Sequence, residues 1–234
     1  MPRAAGEGER AGQLTRRRSP AGNVGDAELQ RETHAEQIMS MPAGHRDRWT
    51  TAEVDRLIEE REGLTPRYEL VEGQLLVTPA PSKRHQRIVL RLAFLLQPYL
   101  TKHGLGEVFL GPAELNLAPD ERYEPDLFVL PAANGRLRAD DGEDVGALLV
   151  CEVLSPGSSR HDRITKRRSF QASGIPSFWI ADGDAEVFEV WRPSDERPAI
   201  VDDRLVWSPA GAGEPFELDV ASFFASVADG AALP

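Results

Sequence analysis

Apolar residues in "SKRHQRIVLRLAFLLQPYLTKHG" recur at helical intervals: Ile88, Leu92, Leu95 or Leu96, and Tyr99 share one side of a 3.6-residue repeat. The pattern predicts a long amphipathic helix with a basic last turn and Gly104 just past its end. Pro98 predicts a kink near that end, because a mid-helix proline removes a hydrogen bond. "RWTTAEVDRLIEER" predicts an earlier helix, capped by threonine, with Val54, Leu57 and Ile58 on one face. Between the two, "RYELVEGQLLVTP" reads as two short strands joined at Glu72-Gly73.

After the long helix the period changes. "GEVFLGPAELNLAP" predicts two strands broken at Gly111-Pro112, followed by strands in "YEPDLFVLP" and "ALLVCEVL". "SSRHDRITKRRSFQASG" returns to helical spacing, with serines at its head and Gly174 at its end. "IPSFWIADG" and "AEVFEVWRP" read as strands around an aspartate-glycine turn. "RLVWSPAGAGEPFELDVASFFASV" closes the pattern with a strand, a loop, a short strand and a short amphipathic helix. This order predicts an α/β domain over residues 46–234: a central mixed β-sheet flanked by helices, with an N-terminal β-hairpin and a C-terminal strand/helix extension.

Residues 1–45 have almost no large apolar side chains, and their composition predicts a disordered tail. The ordered pattern begins just beyond Met39 and Met41, either of which could be the physiological start. No apolar run approaches the roughly 20 residues needed to span a bilayer, and no apolar segment follows the N-terminal arginines. Cys151 is the only cysteine, which excludes an internal disulfide and a cysteine-based zinc site. These features predict a soluble cytoplasmic protein. Glycine-rich phosphate loops are absent from the sequence.

The net charge of −11 argues against a nucleic-acid partner, but its distribution qualifies that. "KRHQRIVLR" (83–91) holds four basic residues and no acid, and "RHDRITKRR" (160–168) holds five against Asp162 alone. Local potential governs contact, so these stretches could hold a phosphate backbone or be two solvated helix faces.

Two acids interrupt apolar strands. Asp126 follows Pro125 at the head of "EPDLFVLP", and Glu152 sits within "LLVCEVLSPGS". Side-chain alternation puts Glu152 on the face opposite Cys151, which reads as a small buried hydrophobe. A buried carboxylate needs a partner, either a cationic side chain or a metal ion. If the two strands pair, Asp126 and Glu152 converge at one sheet end, a donor set that suits Mg²⁺, with the carbonyl of Val153 as a further oxygen. Asp162 and Lys166, four apart on the next helix, form either a plain surface ion pair or the delivery of Lys166 to that site.

A proline-aspartate strand, a strand carrying glutamate and a nearby lysine resemble the PD-(D/E)XK, or restriction-endonuclease-like, nuclease superfamily. More closely, "RYELVEGQLLV", "HQRIVLRL", "EPDLFVL", "CEVLSPGS" and "DRITKRRSFQASGIPSFWIAD" resemble, over about residues 48–220, the bacterial family of putative restriction endonucleases. The resemblance implies a restriction-endonuclease-like core, Asp126 and Glu152 as ligands of Mg²⁺ (Mn²⁺ substituting), and Lys166 as the catalytic lysine. Leu154 stands where the superfamily has its lysine, whereas Lys166 matches the position the resembling family uses. The resemblance also points to Glu69 and His85. Glu69 is then an outer acid, an extra ligand or an exposed hairpin glutamate, and His85 a site or phosphate contact or a surface histidine. Phe170 stands where the family more often has tyrosine.

The function these readings imply is a Mg²⁺-dependent endonuclease that hydrolyses DNA phosphodiester bonds, with DNA held by stretches 83–91 and 160–168 and a homodimer suited to two-strand cutting. The alternatives are a non-catalytic nuclease-fold protein that binds nucleic acid or regulates, and acids that serve only in structural ion pairs.

Overall fold

A computed structural model describes residues 48–115, 117–118, 120–132, 146–155 and 158–229. The chain divides into two units, Met1–Arg46 and Asp47–Pro234. The expectations of a disordered tail and a start at Met39 or Met41 lie outside the described residues, as does most of the polar loop before Ala147.

Helix α1 (Thr51–Glu60) begins at a reciprocal cap: Thr50 accepts from the Glu53 amide, and Glu53 accepts from Thr50. Its buried Val54 packs on Tyr68 and Leu70 of strand β1 (Arg67–Val71). β1 pairs antiparallel with β2 (Gln74–Thr78) through a two-residue turn in which Glu72 and Gly73 both have positive φ, 52° and 78°. All five residues of β1 are buried, Arg67 and Glu69 included.

Helix α2 (Lys83–His103) starts at Ser82, whose hydroxyl accepts the His85 amide, and ends at Gly104 with φ 63°. It continues through Pro98 for five more residues. The central sheet has six strands in chain order: β3 (Gly106–Leu110), β4 (Leu127–Pro131), β5 (Leu149–Val153), β6 (Phe178–Asp182), β7 (Val187–Trp191) and β8 (Ala199–Val201). Only the β5–β6 pair is parallel, so the sheet is mixed. β9 (Arg204–Trp207) and β10 (Phe216–Asp219) form a separate hairpin leading into helix α4 (Val220–Asp229).

Side-chain alternation sorts the core into two layers. On one face Leu127, Leu149, Cys151, Val153, Trp179 and Phe188 pack with α2 and α4. On the other, Phe128, Val150, Phe178 and Ile180 meet Phe170 of helix α3 (Ser159–Ala172). Helix α3 runs in three contiguous pieces, Ser159–His161, a π-helical segment Asp162–Lys166, and Arg167–Ala172. Among the described residues, no helix is long and apolar enough to cross a membrane.

Three local expectations change. The second strand expected after Gly111-Pro112 is reduced to an isolated bridge between Leu115 and Tyr123, because Pro112 has no N–H to offer a ladder. β8 was not anticipated; three residues are too few to show a period. The helix from Ser159 is not a regular α-helix, because its Asp162–Lys166 segment is π-helical.

Candidate active site

Asp126 and Glu152 arrive on adjacent antiparallel strands. Leu127 is level with Cys151, so one step out along both strands brings Asp126 level with Glu152, on the face that α3 covers. Asp126 Oδ1 accepts from Arg67 Nη2 at 2.8 Å. Asp126 Oδ2 accepts from the Val153 amide at 2.9 Å and from His85 Nε2 at 2.9 Å. Burial alone would raise this carboxyl, but His85, Arg67 and the Val153 amide outweigh it and hold it well below the usual carboxylate range.

Glu152 is in the opposite condition. Burial pushes its carboxyl well above the ordinary 4.5, with Asp126, Asp162 and Glu69 adding repulsion that Lys166 only partly offsets. Lys166 Nζ lies 2.9 Å from Glu152 Oε1, 2.7 Å from Glu69 Oε2 and 3.6 Å from Asp162 Oδ1. Burial would lower the Lys166 ammonium, but these three carboxylates raise it well above the usual lysine value. Glu69 is anchored from behind by the Glu124 amide, which donates to its Oε1 at 3.0 Å. Burial raises Asp162, against the pull of Lys166.

The floor of the site therefore gathers four carboxylates, Glu69, Asp126, Glu152 and Asp162, around two fixed cations, Arg67 and Lys166, with His85 at the edge. All seven are buried. A cluster so short of positive charge must take up protons or a cation. Its donors are hard carboxylate oxygens, which fit Mg²⁺ or Mn²⁺. Among the described residues no three His, Cys, Asp or Glu converge as a ready-made metal cage.

The cluster forms one wall of an open cavity of about 820 Å³ that also takes in Thr78–Ser82, Arg84, Arg163 and the β6–β7 turn. Asp126, Glu152, Val153, Lys166 and His85 line it, whereas Glu69 does not and stands behind Lys166. The structure thus brings Asp126, Glu152, Lys166 and His85 to one place. It excludes the exposed readings of Glu69, His85 and the Asp162–Lys166 pair, for all four side chains are buried. Val153 contributes its amide, to Asp126.

The basic stretches are less uniform than the sequence suggested. Lys83, Arg87, Arg160 and Arg168 are exposed, but Arg91 is buried and Lys166 belongs to the cluster. Arg84 bonds to Asp184 and the Gly183 carbonyl, and Arg163 to Glu189 and Asp182. Arg167 lies 4.8 Å over the ring of Trp191. Sequence reasoning missed Arg67 and gave Asp162 no place in the site.

The fold is similar to that of a crystal structure titled as a putative nuclease belonging to DUF820, from Anabaena variabilis. The TM-score is 0.60 at 22% identity, covering 74% of this chain and 98% of that one. Comparison with curated proteins gives no match. The family model Uma2, described as "Putative restriction endonuclease", matches residues 51–221, and that description supports a nuclease function in general. This chain belongs to the Uma2 family.

Proposed function

We propose that the protein is an endonuclease that hydrolyses phosphodiester bonds of DNA with Mg²⁺, Mn²⁺ substituting. One observation carries the reading: the Asp126 and Glu152 carboxylates are level on paired strands at a cavity wall, and the Lys166 ammonium is 2.9 Å from Glu152. Asp126 and Glu152 would hold the cation, with the Val153 carbonyl as a third oxygen. Bound there, Mg²⁺ supplies Lewis acidity toward the phosphate and lowers the pKa of attacking water.

The remaining work belongs to side chains. Lys166 places a fixed positive charge where negative charge develops on the phosphoryl oxygens. Glu69 holds that ammonium from behind, out of the cavity. His85 and Arg67 fix the two oxygens of Asp126. Exposed Lys83, Arg87, Arg160 and Arg168 would meet the DNA backbone outside the cavity. A two-fold dimer would bring two such centres to the two strands of a duplex. The cytoplasm, where such a substrate lies, is the location that goes with this reading.

A second reading is favoured by the same lysine: Lys166 is matched by three carboxylates, as it would be in a nuclease fold that binds nucleic acid without cutting it. Incubation of the purified protein with supercoiled plasmid and Mg²⁺ or Mn²⁺ separates the two. Nicking that Asp126→Asn and Glu152→Gln abolish, in folded protein, supports the endonuclease. Asp126-dependent metal binding without cleavage of any nucleic acid supports the binding module. No metal binding leaves the acids as ion-pair partners.

A further inference from the structure

The two cations of the cluster are held in different ways. Lys166 sits among Glu69, Glu152 and Asp162, and touches Asp126 in none of its ion pairs. Arg67 is bound directly to Asp126. Its side chain leaves β1, is 10% exposed, and lines the cavity. Nη1 donates to the main-chain carbonyl of Glu124 at 3.1 Å, and Nη2 to Asp126 Oδ1 at 2.8 Å. The guanidinium is thus forked between two points at the start of β4.

The two oxygens of Asp126 are not equivalent. A carboxylate oxygen offers about two lone-pair positions. Oδ2 has both filled, by the Val153 amide and His85 Nε2. Oδ1 is the oxygen left for an incoming cation, and there Arg67 holds one of the two positions. A fixed positive charge at that distance also opposes a second cation in a buried site. Arginine does not lose its proton in proteins, so this opposition does not titrate away.

We infer that Arg67 is the resident counter-ion of the cation site: it neutralises Asp126 in the metal-free protein and limits how tightly a divalent ion binds. The inference rests on reading Asp126 as a metal ligand. It explains how a cluster so rich in carboxylates keeps its geometry without a metal: the ligand carboxylate is already paired and oriented. It also makes the ion exchangeable. A divalent cation gains the attraction of Asp126 and Glu152 but must share Oδ1 with a neighbouring guanidinium.

A merely structural role, tying β1 to β4, would give a different result when the charge is removed. The test is Mn²⁺ calorimetry and thermal denaturation on the full chain as parent, Arg67→Gln and Arg67→Lys. Arg67→Gln melts below the parent without metal, binds Mn²⁺ about tenfold tighter, and gains more melting temperature on saturation. Arg67→Lys keeps the charge but loses the fork, and binds about threefold tighter than the parent. Unchanged or weaker affinity in Arg67→Gln overturns the inference. Should that variant not fold, parent-like or weaker affinity in Arg67→Lys overturns it. A parent that binds Mn²⁺ no better than Asp126→Asn overturns the metal-site reading and this inference together, whereas Asp126-dependent binding that Arg67→Gln does not strengthen overturns the inference alone.

Discussion

The main-chain amide of Asp126 donates to Glu152 Oε2 at 3.4 Å, so the two acids of the site are joined across neighbouring strands before any metal is considered. Their charges are nevertheless handled in opposite ways. Asp126 is held ionised by Arg67 and His85, whereas burial and three neighbouring acids press Glu152 toward its protonated form.

That asymmetry predicts unequal costs for neutral replacements. Asp126→Asn strands a buried guanidinium, and losing one partner of a buried pair costs about 3–5 kcal/mol. Glu152→Gln removes a carboxylate that its surroundings resist, and should lie within about 1 kcal/mol of the parent. Urea denaturation of both variants without metal checks this. Equal destabilisation would show that Glu152 is as firmly ionised as Asp126.

The same contrast fixes a pH dependence. With its folded pKa raised above the ordinary 4.5, Glu152 keeps a proton in the folded state that the unfolded chain releases. Its contribution to stability is therefore fully present below about pH 4.5 and is lost as pH rises through the folded value. Asp162 acts in the same direction, from its ordinary 3.8 upward. Asp126, with its pKa lowered, contributes stability above the ordinary 3.8 that is lost as pH falls through its folded value. Glu152→Gln should thus flatten the decline in denaturation midpoint that sets in as pH rises above about 4.5. Mn²⁺ should do the same in the parent by holding the carboxylate form.

Glu69 acts through Lys166, which it meets at 2.7 Å without lining the cavity. Lys166→Met leaves three buried carboxylates without their shared cation and should cost about 3–5 kcal/mol. Adding Glu69→Gln removes one of those carboxylates, so the double variant should be more stable than the sum of the singles by about 1–3 kcal/mol. In a cleavage assay Glu69→Gln should lower kcat with little change in KM. Additive stabilities would mean that Glu69 is held by the Glu124 amide alone.

Much of this centre was legible because strands obey a two-residue period. Asp126 and Glu152 stood out as acids in apolar runs, and Cys151 fell on the opposite face as alternation requires. Two helix ends were legible from their caps: a threonine before the first helix and Gly104 after the second stand where those residue types end backbone hydrogen bonding. What could not be read was burial imposed from a distance. Glu69 looks like a hairpin glutamate until Lys166, 97 positions later, comes to lie against it. Arg67 has no local signature, because its partners are the carbonyl of Glu124 and the carboxylate of Asp126. The π-helical segment Asp162–Lys166 was equally hidden, since its sequence satisfies ordinary helical spacing.

Gly111 ties strand geometry to the site. Its amide donates to the Asp126 carbonyl at 3.2 Å, and a Cβ there would stand 2.8 Å from the Pro125 carbonyl oxygen and 3.0 Å from Arg67 Nη1. The first is main chain and cannot swing aside. Gly111→Ala should therefore displace the Pro125-Asp126 segment, costing about 1–3 kcal/mol. It should also weaken Mn²⁺ binding by moving Asp126 out of its register with Glu152. Calorimetry and thermal denaturation report the two effects separately; a variant equal to the parent in both would show that β3 and β4 part freely there.

The basic residues divide into two kinds, and DNA binding should divide with them. Lys83, Arg87, Arg160 and Arg168 are exposed and can give up water and counterions to phosphates. Replacing Arg87 or Arg160 by alanine should weaken duplex binding and reduce the slope of log K against log salt by about 1 each, with stability unchanged. Arg91 is buried, so Arg91→Ala should lower the melting temperature instead, through lost packing and lost partners. Arg163 is bonded to Asp182 and Glu189 on the β6–β7 strands, and its loss should loosen the cavity wall more than it changes the salt slope. Measuring binding in Ca²⁺, to slow any cleavage, keeps affinity separate from turnover. If Arg87→Ala and Arg160→Ala leave the salt slope untouched, the backbone must approach the cavity from another side, because a phosphate that released counterions at these residues would necessarily report their removal.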